Sequence, residues 1–272
     1  MTDARQDDAR QDDVRQDIDS MRTAGVWRIW EPLYPLHERW SGFGFHLALM
    51  TAISAIGLAG YHVTLHFANG RGVTAWDPTN SWDTTVPPLP WSIFIYLTLY
   101  LYFPLPILAS NRDLRGRREL ALLAQGMILL FLISYAFFLF MPAEVGVRTQ
   151  MEQLVPVMHP RLASLFDIVY YLDRPWNSWP SLHVSESLLI VLFVQRWLGI
   201  RADEFPNRRP WMAGLWIAWI ALSLSILTTK QHFIWDLITG AVLGALIWWF
   251  YILPKLEQRT ADREPSSVPT SA

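Results

Sequence analysis

Six long apolar runs dominate the chain, at 43–67, 91–109, 119–141, 183–200, 211–229 and 233–253. A helix needs roughly 20 residues to cross the hydrocarbon core of a bilayer, and several of these runs approach that length. The fold class they imply is an all-α integral membrane protein, a six-transmembrane-helix bundle. The composition agrees. Charged residues make up only 17% of the 272, and there are 15 Trp, whereas a soluble domain carries about a quarter charged residues. A net charge of −2 gives no pull toward nucleic acid, and none is expected as a partner. The absence of cysteine excludes disulfides, thiolate metal sites and a cysteine nucleophile.

Polar tails flank the runs. Asp3 to Asp17 repeats a five-residue unit, DARQD, DARQD, DVRQD. Its polarity and lack of an apolar stripe predict a disordered or partly helical solvated tail over residues 1–22. No basic segment leads into an apolar core there, so no cleaved signal peptide is expected. From Met21 to Trp40 the chain bears Trp and Arg in an amphipathic pattern suited to a membrane interface. The membrane catalytic domain is expected over 23–256, and the polar stretch 257–272 reads as a second disordered tail. Within the first run, Gly57 and Gly60 allow close helix approach or a bend. Pro104 and Pro106 lie in the second, tolerable where neighbours satisfy the freed carbonyls.

Lysine and arginine in the connections set the orientation. Arg112, Arg115, Arg117 and Arg118 lie between the second and third runs; Arg196, Arg201, Arg208 and Arg209 lie between the fourth and fifth. With six spans these fall on one side, together with Arg22, Arg28 and Arg39 before the first run and Lys255, Arg259 and Arg263 after the last. Both termini are therefore expected in the cytoplasm. The end of the third run, the start of the fourth and the turn between the fifth and sixth then share the outer face.

The residues suited to chemistry occur there. One segment runs Asp173-Arg174-Pro175-Trp176-Asn177-Ser178-Trp179-Pro180-Ser181-Leu182-His183; the other runs from Ser225 to Asp236 through Lys230-Gln231-His232. A carboxylate inside a span is costly and usually faces the bundle interior with a partner. Asp236 lies four residues after His232, so the two share a face if a helix begins near His232. The carboxylate then takes the Nδ1 proton and leaves Nε2 as a base or nucleophile. Lys230 supplies a cation for an anionic substrate, and Gln231 could add a donor. His62 and His66 have i,i+4 spacing, but no cysteine or acidic cluster joins them and no metal is expected. Glu186, one turn past His183, could contact a polar headgroup, tune His183 or satisfy a neighbouring helix.

Pro180-Ser181-Leu182-His183, followed by Lys230-Gln231-His232 and Asp236, resembles the type 2 phosphatidic acid phosphatase superfamily, most closely its inositol phosphorylceramide synthase-like branch. The likeness extends over about residues 90–253. It implies that His183 protonates the leaving group, His232 attacks phosphorus to form a phosphohistidine, and Asp236 orients His232. Ser181 and the amides at the start of the fourth run would hold phosphate oxygens, as free helix N–H groups favour an anion. No cofactor or metal is implied. The pattern departs from the family in three places: Leu182 replaces a common glycine, Ile226 stands where an arginine usually follows Ser225, and the first motif is not recovered. Arg148, Arg174 and Lys230 are the candidate phosphate cations. The implied activity is a lipid phosphate phosphatase at the extracytoplasmic face of a bacterial plasma membrane, with water as acceptor. The same residues serve a phosphotransferase whose acceptor is an alcohol, such as an inositol headgroup or lipid hydroxyl. A lipid-binding protein that has lost its chemistry is a third reading.

Overall fold

The computed structural model describes residues 2–261, and every regular element among them is helical. Helix α1 (Thr2–Thr23) and a 3-10 stretch (Arg28–Glu38) lead into α2 (Gly44–Arg71). After a series of short helices come α3 (Leu114–Phe140), α4 (Pro160–Leu172), α5 (Leu182–Ile200) and α6 (Arg208–Thr228). Helix α7 (Ile234–Ile247) continues through one π-type turn into α8 (Leu253–Ala261).

Among the described residues, five helices are long and apolar enough to cross a membrane: α2, α3, α5, α6 and Ile234–Gln258. The sixth expected span, 91–109, is not one helix. It is broken into Ile93–Tyr96, Leu99–Tyr102 and Leu105–Ala109. Pro104 and Pro106 have no N–H, so the carbonyls of Tyr100 and Tyr102 lose their helical donors. The backbone also tightens before them, with Thr98 N–H on the Ile95 carbonyl at 3.0 Å. Leu99, Tyr102 and Ala109 still face inward, while Tyr100, Leu101 and Leu108 face out.

Helices α3 and α5 form the centre. In their most apolar windows 56% and 61% of residues are buried, against 22% to 28% for the other three. Those outer helices expose large apolar side chains such as Leu58, Ile217 and Phe250, a surface suited to hydrocarbon rather than water. Gly57 and Gly60 of α2 sit against the Phe131 and Tyr135 rings of α3, where an added Cβ would fall within 2.7 and 2.3 Å of ring atoms.

The tail expected to be disordered or partly helical is helix α1, and its second half docks on the bundle. Met21 is buried, and Asp17 accepts from the Tyr34 hydroxyl and pairs with Arg117 at 3.6 Å. Arg15–Asp12 and Arg22–Asp19 pairs, one turn apart, support the helix. In the C-terminal stretch expected to be disordered, the described residues through Ala261 are helical, and 262–272 lie outside the described residues. At this same end, arginines of the 112–118 connection bond to chain carbonyls: Arg112 to Ser41, Arg117 to Arg112, Arg118 to Lys255.

At the opposite end α5 and α7 cross at very short range. Ser181 N–H donates to the Asp236 carbonyl at 3.1 Å. A Cβ on Gly240 would lie 2.6 Å from the Ser181 carbonyl oxygen, and one on Gly244 would lie 3.0 Å from that of Ser185. Backbone cannot yield as a flexible side chain can. Gly240→Ala is therefore expected to cost about 1–3 kcal/mol, the range for overpacking a tight contact. A lowered thermal midpoint in detergent checks this; an unchanged midpoint would mean the helices are free to separate.

Candidate active site

The loop from Met141 to Ser181 folds over this end. Val145 N–H donates to the Pro175 carbonyl at 2.8 Å, and Ala143 and Asn177 form a short parallel bridge. Asn177 in turn donates to the Tyr61 carbonyl and the Thr64 hydroxyl, both at 3.1 Å. Arg148, just past α3, is thereby brought to the start of α5 and the α6–α7 turn.

His232 lies in that turn, just before α7. Its Nδ1 is 3.0 Å from Asp236 Oδ2, and the same oxygen accepts the Phe233 N–H at 3.0 Å. The two residues therefore meet through a capping turn rather than along one helical face: Asp236 is the third residue of α7 and closes its first turn. Asp236 is fully buried, so its charge sits beside the imidazole and away from water.

With Nδ1–H directed to Asp236, Nε2 of His232 carries the lone pair. Nδ1 of His183 is 3.2 Å from it and the Ser181 hydroxyl 3.4 Å. Ser181 precedes α5 and His183 occupies its second position, where helix N–H groups have no internal acceptors. On its other side, His183 Nε2 is 2.7 Å from the Tyr96 hydroxyl. Tyr96 is also 3.2 Å from Asp173 Oδ2, and Tyr61 donates to Asp173 Oδ1. The one Tyr96 proton thus has two acceptors in reach. It can go to a neutral His183, or to Asp173 when His183 is protonated and donates instead.

Arg148 is almost wholly buried. Its guanidinium donates to the Asp173 carbonyl at 2.7 Å and to Gln231 Oε1, and it lies 4.8 Å over the Tyr170 ring. Burial pushes the Tyr170 hydroxyl well above its ordinary range, with Arg148 opposing the shift. Arg148 Nε, Gln231 Nε2 and Ser178 Oγ are buried without partners. Such atoms are costly unless something satisfies them, and donors at a cationic centre suit an anion.

The remaining expected cations are placed otherwise. Lys230, in a left-handed turn at φ 60, donates to the carbonyls of Asp83 and Val86 at 2.8 and 2.5 Å. Burial lowers its pKa, partly offset by the charge of Asp83. It fastens the 83–86 segment, whose Asp83 carboxylate accepts the Ile234 N–H at 2.7 Å. Arg174 is exposed, and its guanidinium has no hydrogen bond or ion pair among the described residues. Thus His183, His232, Asp236, Ser181 and Arg148 converge, whereas Lys230 and Arg174 do not join them.

Sequence reasoning did not single out Tyr96 or Tyr61, and Asp173 entered only as the first residue of the segment leading to His183, with no role assigned. The only available signal for Asp173 was its polarity at the end of an apolar helix. Among the described residues no group of three or more His, Asp or Glu is placed to hold a metal ion.

Residues 135–258 match the family model of the PAP2 superfamily. The matched stretch contains all five converging residues, and it supports placing the chain in that superfamily. No curated protein and no solved structure gives a significant match.

Proposed function

We propose that the protein cleaves a lipid phosphoester through a covalent phosphohistidine on His232. PAP2 superfamily members are generally phosphatases or phosphotransferases, so the match supports an enzyme, and the apolar helices fit a membrane lipid phosphatase family. The observation that carries the mechanism is the line Asp236–His232–His183 at 3.0 and 3.2 Å. It holds an imidazole lone pair opposite a second imidazole that can supply a proton.

In the first step His232 Nε2 attacks phosphorus; the N–P bond forms and the bond to the lipid oxygen breaks. His183 gives its proton to that oxygen, and Asp236 compensates the charge that develops on His232. Arg148, with Ser181 and the α5 amides, supports the equatorial oxygens. In the second step water attacks, the N–P bond breaks, and His183 recovers a proton from the water. Entry of a phosphoryl group requires the two rings to part. Tyr96, able to donate to either His183 or Asp173, suits a histidine that alternates between acid and base. Lys230 and Arg174 would act on phosphate only after rearrangement, so Arg148 is the principal cation in this proposal.

Hydrolysis is the favoured outcome, with phosphatidic acid, phosphatidylglycerol phosphate and polyprenyl (di)phosphate as candidate substrates. Transfer to an alcohol, as in inositol phosphorylceramide synthesis, is the second reading. It rests on Leu182 in the Ser181-Leu182-His183 motif. Purified protein should release phosphate from at least one of these lipids, or move a headgroup onto an added alcohol acceptor detected by mass spectrometry of the lipids. Neither product across the panel would favour a lipid-binding role without chemistry.

We also place the site at the extracytoplasmic face of a bacterial plasma membrane, with both termini in the cytoplasm. Because the chain has no cysteine, single cysteines report sidedness cleanly. Val157→Cys, at the exposed active-site end, should react with an impermeant maleimide in intact cells. Trp211→Cys, at the far end of α6, should react only after permeabilisation. The reverse pattern would invert the orientation.

A further inference from the structure

A cavity of about 380 Å³ opens beside His183. His183, Tyr96 and Asp173 line it, and His232 does not, so it lies on the side of His183 away from the nucleophile. Its walls are largely apolar: Ile53, Leu99, Phe103, Met127, Phe131 and Leu182. Leu58, Tyr100 and Leu172, exposed apolar-rich side chains, form part of its lining, so it opens on the protein surface between α2, α4 and the broken 93–109 segment. The size falls within the range of small-ligand sites.

Away from the His183, Tyr96 and Asp173 corner the lining holds few polar side chains, among them Ser54, Tyr61, His62 and Glu186. Glu186, one turn beyond His183 on α5, lines the cavity and has no hydrogen bond or ion pair among the described residues. No lysine or arginine lines the cavity with it; the histidines that do, His62 and His183, make no hydrogen bond or ion pair to it. An unpaired carboxyl group at membrane depth is expensive and marks a ligand contact.

We propose that the cavity binds one hydrocarbon chain of a lipid carrying a free hydroxyl, and that Glu186 accepts the hydrogen bond of that hydroxyl. The carboxyl is an acceptor held within one helical turn of His183, while the walls satisfy the chain. A hydroxyl fits better than an ammonium group, which would bury a second cation beside a histidine that must itself carry a proton. Glu186 is then the residue that distinguishes hydroxylated from plain lipids. The assignment rests on the phosphohistidine reading only for which end of the lipid carries phosphorus.

A photolabelling experiment tests this independently of turnover. Full-length protein in nanodiscs is illuminated with a long-chain vicinal diol carrying a diazirine near its chain end, and labelled peptides are mapped. Labelling should fall on 50–58, 99–103 and 127–131 and be displaced by unlabelled diol. The matching methyl ether and trimethylammonium amphiphiles should compete about tenfold less well, the scale of one hydrogen bond. Glu186→Leu, which fills a similar volume without an acceptor, should erase most of that preference. Labelling spread evenly over the lipid-facing helices, equal competition by the ether, better competition by the ammonium, or a preference unchanged in Glu186→Leu would each overturn the proposal. Labelling as described in a protein that releases no phosphate supports the lipid site and removes the reaction instead.

Discussion

Replacing His232 with alanine is expected to lower phosphate release by about 10^4-fold or more, the scale seen when a covalent nucleophile acting within a catalytic unit is removed. The expectation follows from the position of one nitrogen. His232 Nε2 is the lone pair to which both His183 Nδ1 and the Ser181 hydroxyl point, at 3.2 and 3.4 Å. The fold should tolerate the change, because the helix-capping bond from Phe233 N–H to Asp236 remains. Loss of rate with an unchanged thermal midpoint therefore isolates chemistry from folding. Activity within about tenfold of wild type would remove His232 from the mechanism.

The same geometry contains a rival that this variant cannot exclude. Ser181, His232 and Asp236 stand in the order of a hydroxyl nucleophile, its base and an orienting carboxylate. Rapid quenching after mixing with lipid carrying radiolabelled phosphate separates the two. A phosphohistidine is labile to acid and survives base, whereas a phosphoserine survives acid. We expect an acid-labile adduct that disappears in His232→Ala, and a smaller loss, about 10^2-fold to 10^3-fold, in Ser181→Ala, as befits one phosphate donor. An acid-stable adduct would make Ser181 the nucleophile.

What the sequence carried and what it lacked divide along the distance between partners. Long apolar runs are a composition signal, so the helices are legible wherever nothing interrupts them. The 91–109 run was the exception, because the effect of Pro104 and Pro106 on helix continuity depends on what packs around the freed carbonyls. His232 and Asp236 are four residues apart, and their pairing was readable although a capping turn, not a helix face, produces it. Tyr96 and Asp173 are separated by 77 residues, and His183 and Tyr96 by 87. No local pattern announces such a contact, and a tyrosine inside an apolar run looks like packing. Lys230 shows the converse. A lysine two residues before His232 reads as a cation for phosphate, yet its left-handed backbone aims the ammonium at the carbonyls of Asp83 and Val86. Few non-glycine residues adopt that conformation, and nothing in the residue type reveals it.

The second large effect is expected at Asp236, where two functions share one oxygen. Oδ2 receives both the His232 Nδ1 proton and the Phe233 N–H, each at 3.0 Å, while Oδ1 is buried without a partner. Asparagine can set its amide oxygen in the Oδ2 position and keep both bonds. Its NH2 group then occupies the unpartnered side. Asp236→Asn thus removes the negative charge and leaves the capping turn in place. The cost should be about 10^3-fold to 10^4-fold in rate, as for a neutralised carboxylate behind a catalytic histidine. Asp236→Ala removes the cap as well and should lose roughly 0.5–2 kcal/mol of stability, the usual worth of an N-cap. Comparing the two separates positioning from charge. If Asp236→Asn matched wild type in rate, holding the imidazole would be the whole role of Asp236, and a charge-stabilised phosphohistidine would lose its main support. If the asparagine variant were as unstable as the alanine, the amide would have turned its NH2 toward the two donors, and the rate loss would report a displaced His232.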